Sequence, residues 1–555
     1  MGSTSRIRLR RNAAQLHALA QIEREIRATD PHGRRKYLRE FNEAFQTYEK
    51  ILSEAEFQQS LLAADVLLVG DYHALPRSQQ FAEQLIRQLT QLSTRPLVLG
   101  VETLFARDQH ILDEWQREEI DEREFRERIR YDLEWGYDWK PFYRVLETAR
   151  AAGVRICGLD AMPRGDLRRI GLRDRHAAEK LSEIHLAHPE ALIVVLFGES
   201  HLAPRHLPAQ VRAMIPRFQV HTILQNLDPL YWKAATESSH VKYVRVQQDV
   251  TCVFNASPLE KYESYRLCIE QWKQERREAD LAPSFYNLID ALAAFLRLEK
   301  AASAVNSQPE YLYDIVPEIC CRSSEEAIRK VLQRKRATEQ ETRDAMESIE
   351  RGGAAYVQRL NALFTTRYEL SGAGEEVSRF LHAVCRGEVG TPEPRSEDIE
   401  QRFYAECLRY MATYVGSRIL HPGREPWREI DLYSRYSDTR EQVESSIKCG
   451  YREYMRMIDF IVMHKDFEYY ARRYRQVPPL IEEGRQYEGE RFRFATMWLG
   501  RMLGTQVYEA FIAGRLHKRF IRSVMSKRLL RPGEAKAIYF MIARRTRSAK
   551  PGWIS

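Results

Sequence analysis

The sequence predicts an α/β domain with a largely parallel sheet, preceded by N-terminal helices and followed by a mainly α-helical C-terminal region. Two observations predict it. Between residues 61 and 256, short β-like apolar runs alternate with charged helical stretches. On either side of that segment, apolar residues recur at helical spacing instead.

Within the N-terminal segment, 1–60, Leu16, Leu19, Ile22 and Ile26 fall at helical spacing. Pro31-His32-Gly33 breaks the pattern, and a second helical stretch carries Phe41, Phe45 and Tyr48. The apolar runs of 61–256 are Val66–Val69, Leu97–Leu99 reaching Val101, Val154–Cys157, Leu192–Phe197, Val220–Leu224 and Val241–Val246. The third follows Ala152-Gly153, where glycine serves as a helix C-cap. Beyond residue 257 the periodicity predicts helices over 261–277, 284–301, 323–350, 398–419, 440–475, 488–526 and 533–545. Gly387–Ser396, with Gly390, Pro392 and Pro394, reads as a linker or exposed loop. It divides the helical part into 257–390 and 391–555.

Composition narrows the class. The chain has 555 residues, 44% hydrophobic and 30% charged, which suits a globular protein with a sizeable core and excludes a collagen-like or wholly disordered one. No apolar run approaches the roughly 20 residues that span a bilayer. The 8 cysteines include no CxxC pair, so a zinc ribbon is not expected and reduced thiols are. His382 and Cys385 have no second pair to complete a metal site. The arginines at 6, 8, 10 and 11 are not followed by an apolar core, which predicts no signal peptide and a cytoplasmic location. The net charge is +8, and twelve Lys or Arg with one acid lie between Arg515 and Ser555. That basic end suits an acidic partner, nucleic acid or anionic lipid, or a solvated face on a core-facing helix. Leu516, Phe520, Val524 and Met525 would form the apolar side of such a helix over Arg515–Arg531.

The chemistry gathers at the strand ends. The first apolar run leads into Gly70-Asp71-Tyr72-His73 and the fourth into Gly198-Glu199-Ser200-His201. The second ends at Glu102 and the third at Asp160. In open α/β sheets the carboxyl ends of the strands carry the functional groups, so these side chains share one rim. Two imidazoles and a carboxylate can hold a divalent metal with open water positions. The same set can work without metal, one histidine acting as general base with Glu102 as its partner.

These motifs resemble, in order and spacing, the ChaN-like domain of the haem-binding uptake/Tiki superfamily, over roughly residues 60–230. Gly70–His73, Leu97–Glu102, Trp135-Gly136-Tyr137, Gly158–Arg164, Arg173–Ala178 and Phe197–His201 carry the likeness. Asp71 stands where relatives usually carry glutamate, and Asp160 replaces a loop asparagine. The resemblance implies a hydrolase acting on an ester or peptide-like small substrate, with His73, Glu102 and His201 holding a divalent metal or positioning water. Glu199 is then a proton acceptor, Arg164 a stabiliser of an oxyanion or substrate carboxylate, and Asp174 an orienting group for Arg164 or a helix cap. Asp71 and Asp160 support the site. The alternative implied is haem binding, for which Tyr72, Tyr137 and Tyr143 can be put forward as axial ligands. A further alternative is a non-catalytic scaffold acting through the helical C-terminal region, which would also serve homo-oligomer assembly.

Overall fold

The computed structural model describes residues 2–30, 36–161, 170–237, 241–274, 280–298, 300–301, 310–393, 396–437, 451–470, 490–529 and 531–547. The chain divides into two compact units, Leu19–Ala279 and a second made of Met1–Ala18 with Asp280–Ser555. Among the described residues no helix is long and apolar enough to cross a membrane.

The first unit is built on an eight-stranded sheet. Its strands are β1 (Lys50–Leu52), β2 (Val66–Asp71), β3 (Leu97–Phe105), β4 (Arg155–Asp160), β5 (Leu192–Gly198), β6 (Val220–Gln225), β7 (Tyr243–Gln247) and β8 (Val250–Val253). The spatial order is β1-β7-β8-β6-β2-β5-β3-β4. From β8 to β4 every pairing is parallel, while β7 and β1 pair antiparallel at one edge. Continuous apolar runs suit such a sheet because both faces are covered. Alternate residues go to opposite cores: Leu67, Val69, Leu99, Val101, Val194 and Leu196 join one cluster. Val66, Leu68, Val98, Ile193, Val195 and Phe197 join the other. The helices Pro76–Leu92 and Trp139–Ala151 cover the first face, and Ile170–Ala187 and Leu207–Met214 the second.

Chain routing sets the site. The helix after β2 packs on one face and the helix after β5 on the other, so the chain switches direction between these two neighbouring strands. Such a switch point opens a crevice at the carboxyl ends. β3 departs from the expected run ending at Glu102 and continues to Phe105. Its pairing with β4 shifts between Val101 and Phe105, so Glu102 lies in a bulge inside the strand. Bulges re-aim side chains beside active sites. Gly158 of β4 makes this one possible, since a Cβ there would meet Phe105 O at 2.7 Å and Leu104 O at 3.0 Å.

Two strands have no counterpart in the sequence reading. β1 is only three residues long, too short for a period, and β8 follows β7 through a turn at Gln248-Asp249 that lacks glycine.

The second unit is mainly helical but not wholly so. A small sheet pairs Glu318–Cys321 and Ala354–Val357 on either side of Ala362–Thr365. Lys300–Ala301 and Glu310–Tyr311 pair separately. The stretch read as one helix over 323–350 is two, Glu325–Arg334 and Glu339–Gly352. A capping box of Thr338 and Glu341 starts the second. Leu370–Arg386 is a helix that the sequence reading did not predict. Ile399–Leu420 packs against it, and Glu490–Ile512 and Glu534–Thr546 pack on Ile399–Leu420. The basic amphipathic stretch is helical only over Lys518–Met525, because Gly514 with φ 78° ends the preceding helix. Ile521 and Met525 are buried there, whereas Phe520 and Val524 are half-buried. The parts of the 440–475 and 488–526 readings that fall on 440–450, 471–475 and 488–489 lie outside the described residues.

Gly158→Ala drives a methyl into the β3 backbone. It is expected to cost about 1–3 kcal/mol of stability, as overpacking does, read as a lower thermal unfolding midpoint. An unchanged midpoint would show that the bulge does not depend on this glycine.

Candidate functional site

Glu102 is the centre of the site and is 3% exposed. Its Oε1 accepts from Arg173 Nη2 at 2.5 Å, and its Oε2 accepts from the Gly198 N–H at 2.5 Å. Arg173 also donates to Asp160 through Nε at 2.8 Å and Nη2 at 2.9 Å. One guanidinium thus bridges carboxylates from β3 and β4.

The two histidines flank this carboxylate. His73 Nε2 lies 3.7 Å from Glu102 Oε2, and His201 Nε2 lies 3.7 Å from Oε1. Neither distance is a direct hydrogen bond; each leaves room for a bridging water or substrate atom. Each imidazole is held from behind by an aspartate. His73 Nδ1 is 2.7 Å from Asp71 Oδ2, and His201 Nδ1 is 2.5 Å from Asp174 Oδ1. Gln79 holds the other oxygen of Asp71. Tyr37, on the helix Lys36–Ala44, donates to Asp174 Oδ2 at 2.5 Å and stacks on His206 at 3.6 Å between ring centroids. Gly198 must stay small, since a Cβ there would come within 3.0 Å of Glu102 Oε2 and 3.1 Å of His73 Nε2.

The electrostatics follow from burial and pairing. Burial favours a protonated Glu102, but Arg173, His201 and His73 override it and hold its pKa down at about 2. Burial opposes charging of His73; Asp71, through charge and hydrogen bond, outweighs it with help from Glu102, so the imidazole pKa is raised. Burial likewise works against the Arg173 charge, and Glu102 and Asp160 more than restore it.

The structure brings His73, Glu102, His201, Asp71, Asp160 and Asp174 into one network. Two expected assignments change. Asp174 does not cap its helix; its carboxylate is turned to His201 and Tyr37. Glu199 is not a free proton acceptor: its oxygens accept from Lys261 Nζ at 3.0 and 3.2 Å, both side chains being buried. Burial raises the Glu199 pKa and Lys261 opposes that rise. Arg164 lies outside the described residues. The residues that sequence reasoning missed are Arg173 and Tyr37. Arg173 and Asp174 are adjacent charged residues that are both buried. Nothing in the periodicity of Lys36–Ala44 marks Tyr37.

The expected metal ligands do not fit a divalent ion as folded. Among the described residues no group of three or more His, Cys, Asp or Glu side chains is placed to hold one. Glu102 is already neutralised by a guanidinium and its second oxygen is taken by a backbone N–H. The tyrosines put forward for haem do not fit either. Burial and neighbouring charge push the Tyr72 and Tyr137 phenols up, against the phenolate a metal needs. Tyr143 packs edge-on against Trp115 and tilted against Trp139.

Asp71→Asn removes the carboxylate that raises the His73 pKa. The stabilisation from charged His73 is present below the ordinary value of about 6.5 and is lost as pH rises through the folded value. The stability gap between wild type and Asp71→Asn is therefore expected to be wider at pH 5 than at pH 9 in denaturant melts. A gap that widens toward alkaline pH would contradict the assignment.

Comparison with known proteins finds similarity over part of the first unit. Residues 57–193 match the family model described as haem-binding uptake, Tiki superfamily, ChaN. The solved structure titled "Cofacial heme binding to ChaN of Campylobacter jejuni" aligns at 16% identity, covering 32% of this chain and 87% of that one, with a TM-score of 0.26. A score that low carries no argument about this chain. No curated protein matches it. His73 and Glu102 lie inside the matched span, and His201 follows it on β5's exit turn. Over residues 57–193 the chain is thus similar to the ChaN proteins of the haem-binding uptake, Tiki superfamily.

Proposed function

We propose that this site is a hydrolase centre working by general acid–base catalysis on an ester or peptide-like carbonyl of a small substrate. The observation that carries this reading is the pair of aspartate-anchored imidazoles turned toward one immobilised, ionised carboxylate. An aspartate at Nδ1 fixes the ring and its tautomer and leaves Nε2 to exchange the proton. His201 Nε2 takes a proton from water as its oxygen adds to the carbonyl carbon. His73, which Asp71 favours in its protonated form, gives its proton to the leaving group as the carbon–heteroatom bond breaks. Glu102 stabilises both imidazolium forms across 3.7 Å.

A second reading has its own support. The rings of Trp135 and Tyr137 stand 4.6 and 5.2 Å from His73, and Trp272, 45% exposed, stands 5.3 Å from Tyr137. This aromatic edge suits a planar ligand such as haem, in keeping with the family description. Haem bound there would supply iron-centred chemistry; the chain's part is the aromatic surface and the imidazole.

A panel of chromogenic esters and peptide amides tests the first reading. His73→Ala and His201→Ala are each expected to lower kcat by about 10²–10⁴-fold, the usual contribution of a positioned acid or base, with unchanged circular dichroism. Full activity in either variant would remove the hydrolase assignment.

Haem titration followed in the visible region tests the second. A saturating Soret shift that weakens in Tyr137→Ala supports it, and a featureless titration rejects it.

A further inference from the structure

The second unit holds a group of arginines that the reading above does not use. A cavity of about 100 Å³ lies where the helix Glu339–Gly352 ends and the helix Leu370–Arg386 begins, and is lined by Arg351, Arg379, Arg424, Arg501, Ser371 and Tyr410. That is room for several waters or for a small tetrahedral oxyanion. Two further lining carboxylates, Glu375 and Glu376, face the four guanidinium groups. A third, Glu369, is bound by Arg367 at 2.6 Å. Positive charge is therefore in excess around the cavity.

The arginines are fixed before any ligand arrives. Glu375 Oε1 accepts from Arg424 at 2.7 Å and from Arg501 at 2.8 Å. Arg424 also donates to Ser417 Oγ at 2.7 Å, and its guanidinium lies 4.8 Å from the Tyr414 ring centroid. Arg501 stacks on Trp427 at 4.9 Å. One carboxylate shared by two guanidiniums leaves donors over. Arg501 is 4% exposed, and its Nε has no hydrogen-bond partner; Arg379 Nε has only an ion pair with Glu376 Oε2 at 3.4 Å. A buried orphan donor is costly unless something accepts from it. Arg351 at the mouth has no carboxylate within ion-pair distance among the described residues and reaches only Met497 Sδ at 3.2 Å.

The backbone adds to this. The helix Leu370–Arg386 opens on the cavity wall at Ser371 and Gly372. Its N-cap residue, Glu369, makes no side-chain cap bond, and the Ala373 N–H donates to Glu369 O at 2.8 Å. The N–H groups of Ser371 and Gly372 are thus left over at the positive end of a helix dipole. Burial, together with the charges of Arg424 and Arg351, lowers the Arg501 pKa, consistent with cations crowded around a site short of anions.

We propose that this cavity is a binding site for a phosphate group, held by Arg351, Arg379, Arg424 and Arg501 and by the first turn of the helix Leu370–Arg386. The ligand is either free inorganic phosphate or the phosphoryl end of a monoester, which present the same oxygens.

Calorimetric titration of the full chain with inorganic phosphate, and separately with phenyl phosphate, tests this at constant ionic strength set with chloride. Wild type is expected to show saturable binding. Arg351→Gln, an exposed change at the mouth that spares the buried network, is expected to weaken it at least tenfold with an unchanged melting temperature. Arg329→Gln, on the helix Glu325–Arg334, is expected to bind as wild type does. Tighter binding of phenyl phosphate assigns the site to a monoester, and binding of inorganic phosphate alone assigns it to the free ion. No saturable binding of either probe, or equal losses in Arg351→Gln and Arg329→Gln, would overturn the proposal.

Discussion

The first unit's site depends on the compensation of one buried carboxylate. Glu102 sits where the sheet is closed to solvent on both faces, and an isolated charge there would be neutralised rather than kept. Arg173 and the Gly198 N–H keep it ionised. The rest of the site can be traced from that requirement. Arg173 is itself buried, so it needs the second carboxylate of Asp160. Asp160 ends β4, and β4 can approach the bulged β3 only because position 158 is glycine. Removing one member of such a buried network strands the others, at a cost of about 3–5 kcal/mol for a broken pair. The network is thus a structural commitment as well as a chemical one.

The histidines stand in a different relation to Glu102. They do not neutralise it by contact, since both Nε2 atoms stop 3.7 Å short. The contacts they do make are to Asp71 and Asp174, on the far side of each ring. A purely structural histidine would use both nitrogens on fixed partners, as His206 does with Ser200 O and Glu40. His73 and His201 have one nitrogen anchored and the other turned to a shared space. That asymmetry separates the pair from His206 more clearly than burial does.

Much of this was legible in the sequence because parallel strands buried on both faces leave a strong signal. Val66–Val69 and Leu192–Phe197 are continuous apolar runs, and their glycine exits mark where the chain turns. Glu102 and Asp160 could be placed on the same rim from strand direction alone. Arg173 could not. It arrives from a helix on the opposite side of the crossover, 71 residues from Glu102, and only the tertiary pairing selects it from the neighbouring Arg175. Tyr37 is more distant still, 137 residues from its partner Asp174. Periodicity reports which residues are apolar, and a charged or hydroxyl-bearing side chain buried by its partner looks like surface. The small sheet of the second unit was missed for a related reason: Glu318–Cys321 is too short to show a period of two and mixes a charge with cysteines.

The same reasoning distinguishes the two units. In the first, the two site imidazoles and Arg173 each have a carboxylate partner, and the two Nε2 atoms face Glu102 without bonding it. In the second, Glu375 must serve Arg424 and Arg501 at once, and its pKa is held at about 2 because burial is outweighed by those two cations. Glu376 goes the other way: burial raises its pKa, and Arg379 with the Tyr356 N–H only partly offsets this. A carboxylate less ready to ionise leaves its arginine less satisfied. The first unit's site thus supplies two carboxylates to one guanidinium, and the second unit's cavity one carboxylate to two guanidiniums.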